Sequence, residues 1–222
     1  MKYSLNISID SAAVRTINQT RQRVTLVKSK AGGTTLAWVT FKPMQNNLVT
    51  WEENYLIYAT TTALQEGAVL DLQSQTDLPV QTGFVYTLQD GVFNKGDGGT
   101  KGLFAAVNQD ENGENFGLAQ TAIIHGKSVL APLNAIPVNH NQNVTFEPIE
   151  TVSIYLSNIQ DNGVVISDVS GDALTVELTS VAPNATIGFN DGSNTFFLQG
   201  TSAQAPARPA RRAAQPQAAA RP

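Results

Sequence analysis

Val152-Ser153-Ile154-Tyr155-Leu156-Ser157 and Leu174-Thr175-Val176-Glu177-Leu178-Thr179 alternate apolar and polar residues at a period of two. A strand with one buried face requires that period, because successive side chains point to opposite sides, whereas a helix would scatter the same apolar residues around its axis. Outward from these two stretches, the same reading covers residues 1–10, 24–28, 36–42, 49–60, 68–73, 83–88, 103–108, 144–146, 164–167 and 185–189. Asp90-Gly91, Asn112-Gly113, Asp161-Asn162-Gly163 and Asn190-Asp191-Gly192 supply the Gly, Asn and Asp that tight turns use for positive φ. Short strands punctuated by such turns predict an all-β fold, an antiparallel β-sandwich, rather than a βαβ fold. One short N-terminal helix is expected over residues 11–19, with Asp10 or Ser11 as its N-cap.

Two boundaries follow. Residues 1–199 read as a β-rich globular domain. Residues 200–222 hold Ala, Pro, Gln and Arg with no aromatic or branched aliphatic side chain. Such a segment cannot bury enough apolar area to offset its ordering entropy, which predicts a disordered C-terminal tail. Within the domain, Val39-Thr40-Phe41-Lys42-Pro43 recurs as Val144-Thr145-Phe146-Glu147-Pro148. The recurrence is what a duplication into two β units, residues 23–93 and 129–198, would leave, and also what chance repetition of short strand motifs produces. The connection over residues 94–127 reads as the least regular part of the domain.

Composition narrows the chemistry. Charged residues make up 14% of the 222-residue chain, well under the usual ~25%. The surface is therefore polar through amides and hydroxyls. The absence of cysteine excludes disulfides, thiolate zinc sites and a thiol nucleophile. The first residues lack the apolar run of about 7–15 residues that a secretory leader carries, so a cytoplasmic chain, or one exported without a cleavable signal peptide, is expected. No run approaches the ~18 apolar residues of a membrane helix. Residues 1–44 carry seven Lys/Arg against Asp10 alone, while residues 45–199 are strongly acidic. This asymmetry suits either internal neutralisation or a homo-oligomer built from basic N-terminal and acidic C-terminal regions. The tail's four arginines are too few, beside an acidic domain, to predict nucleic-acid binding.

No motif names a reaction. Residues 108–119 open like a calcium loop, with Asp110, Asn112 and Glu114 as the candidate metal ligands, but Ala119 stands where a bidentate Glu belongs. A solvated hairpin tip is the simpler reading. The glycine-rich residues 94–102 lack the Lys-Ser/Thr pair of a phosphate-binding loop and read as a flexible loop. His125 and His140 are the only histidines. His125 with a carboxylate is the one acid/base candidate, and a triad with Ser128 lacks a nucleophile elbow.

Trp38, Trp51, Tyr55 and Tyr58, with Glu52 and Glu53, form the densest aromatic and acidic grouping. Aromatic faces stack on sugars, anchor at membrane interfaces or fill cores. Adjacent Glu52 and Glu53 point to opposite faces of a strand, so they do not form a glycosidase pair. The favoured expectation is a non-catalytic, cofactor-free binding module of lectin-like or toxin-like character, with Trp51, Glu53, Tyr55 and Tyr58 contacting a carbohydrate or membrane surface. The alternatives are a small-ligand enzyme with a β-barrel pocket using His125 and a carboxylate, and a self-assembling structural protein.

Overall fold

The computed structural model describes residues 1–28, 33–148 and 150–200. The tail expected to be disordered lies, apart from Gly200, outside the described residues. Strand β1 (Lys2–Ser8) buries Tyr3, Leu5 and Ile7 and turns the alternate residues outward. Helix α1 (Ser11–Gln19) follows where expected, with Asp10 as N-cap, although the Asp10 carboxylate makes no capping hydrogen bond. Ala13 and Ile17, one turn apart, are its buried residues.

Next come β2 (Arg23–Val27), β3 (Thr34–Ala37), β4 (Val39–Phe41), the long β5 (Asn46–Thr60), β6 (Ser74–Gln75), β7 (Phe84–Gln89), β8 (Val92–Asp97) and β9 (Phe104–Asn108). The second half holds β10 (Glu114–Ile124), β11 (Lys127–Pro132), β12 (Asn134–Val138), β13 (Asn143–Phe146) and β14 (Thr151–Ser157). It closes with β15 (Val164–Val165), β16 (Leu174–Glu177), β17 (Asn184–Asn190) and β18 (Thr195–Leu198).

These strands form three sheets. The largest has ten strands in the order β15-β3-β12-β10-β5-β1-β17-β18, with β11 beside β10 and β6 beside β5. It curls into a half-barrel. The other two are four-stranded, β13-β9-β7-β8 and β16-β14-β2-β4. A shared core gathers the inward side chains, with Leu5, Leu26, Trp38, Trp51, Phe116 and Ile154 among its fully or almost fully buried members.

Several expectations need correction. The pairing is mixed, not purely antiparallel, because β1 runs parallel to β17 and β7 parallel to β9. A parallel pair needs a crossover where a hairpin would suffice for an antiparallel one, and local turn signals do not reveal such long returns. Residues 36–42 do not form one strand. The chain breaks at Trp38, sending β3 to β12 and β15 in the large sheet and β4 to β2 in another. Residues 68–73 contribute only an isolated bridge between Val69 and Val164. Residues 94–127, expected to be the least regular part, contain the end of β8, all of β9 and the eleven-residue β10. Strand β10 was hidden because it is buried along most of its length, from Phe116 to Gln120 without interruption, and a strand covered on both faces loses the alternating pattern. The two segments sharing the Val-Thr-Phe motif stand in different sheets, β4 against β2 and β13 against β9.

Turn chemistry is clearest at two hairpins. Asp90 and Gly91 take φ of 53° and 74° between β7 and β8, and His125 and Gly126 take 49° and 77° between β10 and β11, both in the left-handed region that two-residue hairpins require. Gly117 in β10 is needed for a different reason. A Cβ there would overlap the Asn134 carbonyl oxygen and meet the Tyr58 ring 2.6 Å away. Backbone cannot yield as a flexible side chain can. Gly117→Ala is therefore expected to lower stability by about 3 kcal/mol, read from the urea midpoint of the purified variant.

Candidate functional site

The aromatic grouping read from the sequence points inward. Trp51, Tyr55 and Tyr58 are at most 1% exposed, while Glu53 is exposed and pairs with the N-terminal ammonium at 3.7 Å. What separates Glu53 from the face it would otherwise share with Trp51 and Tyr55 is an irregularity between β5 and β10. Tyr55 is opposite Gln120 and Trp51 opposite Ala122, so residues 52–54 face Thr121 alone. Two extra residues leave the in-and-out parity unchanged, so Trp51 and Tyr55 both stay inside while Glu52, Glu53 and Asn54 are displaced to the surface. The carbonyl of Glu52, which this irregularity leaves without a β10 partner, accepts a 2.7 Å hydrogen bond from Gln120 Nε2.

What Trp51 and Tyr55 enclose is a cation that sequence reading did not single out. Lys28 continues the inward parity of Val24 and Leu26 from β2, and it is fully buried. Its Nζ lies 4.8 Å from the ring centroid of Trp38, 4.7 Å from Trp51 and 5.9 Å from Tyr55, a cation held against aromatic faces. It donates to Gln120 Oε1 at 2.7 Å and to Glu150 Oε2 at 3.0 Å. Glu150 also accepts from Trp51 Nε1 at 2.9 Å and from the Tyr55 hydroxyl at 2.5 Å. Burial pulls the Lys28 pKa down to about 8, against the opposing pull of the Glu150 charge. Tyr58 is separate from this group. Its hydroxyl donates to the Asn134 carbonyl at 2.6 Å, and burial drives its pKa far upward.

The acid/base and metal candidates occupy turns. His125 stands in the β10–β11 turn, half-buried, with Nε2 3.0 Å from Asn47 Oδ1 and its ring edge-on to Phe41. Ser128 lies on β11 opposite Ile123, exposed. The Asp110 carboxylate accepts from the backbone N–H groups of Asp90 and Gly91 at 2.5 and 3.0 Å, bracing the β7–β8 turn. Asn112 is exposed, and burial followed by the Asp110 charge raises the Glu114 pKa. Among the described residues, no three His, Asp or Glu side chains are grouped to hold a metal ion. The residues of the expected glycine-rich loop instead begin inside β8, paired with β7.

Two concavities open on the outside of the half-barrel. One, of 320 Å³, lies over the β5 irregularity and is lined by Lys2, Glu52, Asn54, Pro79 and Ile123 among others. The other, of 380 Å³, runs across β1, β5, β17 and β18 beside the start of α1. Phe197 is 45% exposed there and is paired with Gly188, over which its ring lies. Asp10, Gln45, Asn46 and Gln199 surround it. No described helix is long and apolar enough to cross a membrane. Comparisons with protein-family models, curated proteins and solved structures give no match to this chain.

Three measurements follow from these groups. Glu150→Ala removes the counter-charge of Lys28 and an acceptor of Trp51 Nε1 and the Tyr55 hydroxyl, and should cost about 3 kcal/mol in denaturant unfolding. Asp110→Ala, which loses only the turn brace, should cost about 1 kcal/mol. Tyr58 remains protonated in the fold at a pH where the unfolded chain, with a tyrosine pKa of about 10, has released the proton. Its contribution is thus complete below that pH and is lost as pH rises above it. Tyr58→Phe should be less stable at neutral pH but decline less steeply above pH 10, measured by urea midpoints across that range.

Proposed function

We propose that this chain is a non-catalytic β-sandwich-type binding module whose ligand is a carbohydrate held in the trough around Phe197. The observation that carries the reading is an exposed aromatic ring, laid over Gly188 and surrounded by one carboxylate and three amide side chains. A sugar offers an apolar C–H face and a rim of hydroxyls. The ring supplies an apolar surface for the first, and Asp10, Gln45, Asn46 and Gln199 supply acceptors and donors for the second. Asp10 is well suited because its carboxylate is not spent on capping α1. Strands β1, β5, β17 and β18 set Ser8, Asn46, Gly188 and Phe197 on hydrogen-bonded backbone, with Asp10, Gln45 and Gln199 within two residues of their ends, which suits a preformed site.

The placement differs from the one expected from the aromatic-rich β5, whose rings serve the core. It also favours binding over catalysis, since His125 faces an amide in a hairpin turn and lines neither concavity.

A glycan array followed by titration calorimetry on the full chain tests the reading. Saturable binding is expected, weakened about tenfold by Phe197→Ala, with circular dichroism unchanged. Binding that survives both Phe197→Ala and Asp10→Ala would remove the trough as the site. Absence of any glycan ligand, with sedimentation on anionic liposomes instead, would replace the carbohydrate by a membrane surface.

A further inference from the structure

The buried group around Lys28 brings together an amine, a primary carboxamide and a carboxylate, each from a different element. Lys28 directly follows β2, Gln120 lies in β10, and Glu150 directly precedes β14. Lys28 Nζ is 2.7 Å from Gln120 Oε1 and 3.0 Å from Glu150 Oε2. A carbonyl bond is about 1.2 Å long, so Nζ is also within about 4 Å of the Gln120 carbonyl carbon, close to the separation of a near-attack arrangement. We propose that Lys28 and Gln120 form an intramolecular isopeptide bond, with Glu150 as the proton-transfer group, independently of the carbohydrate reading.

The atoms balance without a co-reactant. Glu150 takes a proton from the Lys28 ammonium, and the neutral amine adds to Gln120 Cδ. The Nζ–Cδ bond forms, the Cδ–Nε2 bond breaks, and Nε2 leaves as ammonia, collecting one proton from Nζ through Glu150. The proton that Lys28 gave up first departs with it, so the products are a secondary amide and an ammonium ion. No oxidation or reduction takes place.

Four features favour this step. Burial lowers the Lys28 pKa to about 8, so roughly a tenth of the amine is already neutral at pH 7. Glu150 is aimed by Trp51 Nε1 and the Tyr55 hydroxyl, as a general acid/base must be. The Gln120 carboxamide is held by Nζ on its oxygen and by the Glu52 carbonyl on its nitrogen. Trp38, Trp51 and Tyr55 wall the group in, and with Lys28 fully buried the intermediate is sheltered from competing hydrolysis by water. The bond would join the β16-β14-β2-β4 sheet covalently to the half-barrel, giving a cysteine-free chain the kind of crosslink that disulfides give others.

Intact-mass spectrometry of the purified full chain, incubated folded at pH 8 and then denatured, provides the test. The expected mass is one ammonia below that of the encoded chain, and proteolysis should yield a branched peptide joining Lys28 to Gln120. Lys28→Met and the near-isosteric Glu150→Gln should both keep the full encoded mass. A wild-type chain at full encoded mass after incubation overturns the proposal. So does loss of one water with Lys28 joined to Glu150. A Glu150→Gln chain that still loses ammonia overturns the role of Glu150. None of these readings depends on carbohydrate binding, and a glycan-array failure leaves them unaffected.

Discussion

The amino group of Lys28 sits without solvent contact among three aromatic rings, and Glu150 answers its charge at 3.0 Å. Withdrawing an ammonium from water costs several kcal/mol, which a single ion pair offsets only when the remaining donors and acceptors are also satisfied. Here they are. Gln120 takes a second proton of the ammonium, and Trp51 and Tyr55 complete the carboxylate. The positions of five side chains are therefore interdependent. Lys28 and Glu150 flank strands of one four-stranded sheet, while Trp51, Tyr55 and Gln120 belong to the half-barrel, and Trp38 marks the point where the chain passes between them. The orientation of one sheet on another is thereby tied to specific polar partners as well as to apolar packing, which tolerates alternative arrangements more readily.

The irregularity between β5 and β10 lies beside the same group. Trp51 and Tyr55, four residues apart, keep a common face across it, while the residues between them are expelled to the surface. Its consequences reach both faces of the sheet. Inside, Gln120 is anchored by the Glu52 carbonyl that the irregularity leaves available. Outside, Glu52 and Asn54 line a cleft that a regular ladder would not create. A single local departure from sheet geometry thus serves the core and shapes the surface.

Elsewhere, the acid/base and metal candidates make local contacts within turns. Asp110 braces the turn at Asp90 and Gly91, and His125 takes a left-handed conformation at a hairpin tip against Asn47. Phe197 differs because its ring covers a glycine and remains half open, with polar side chains around it. The proposed carbohydrate site rests on that combination of an apolar face and an amide-rich rim.

The all-β class, the N-terminal helix and several strands are legible in the sequence. Alternation marks β1, β14 and β16, the N-cap candidates Asp10 and Ser11 mark the start of α1, and Asp90-Gly91 marks a hairpin. These features are local, and local sterics and one-sided burial write them directly into residue order. The sequence also determined the absence of thiol chemistry and the sparse charge. Only tertiary structure decided the break at Trp38, the parallel pairings, the course of β10 and the inward turn of Trp51 and Tyr55. Each depends on residues far apart in the chain, as where β1 meets β17 or Lys28 meets Gln120 and Glu150. No periodicity records such meetings, because a side chain's environment is set by what the fold brings to it from elsewhere.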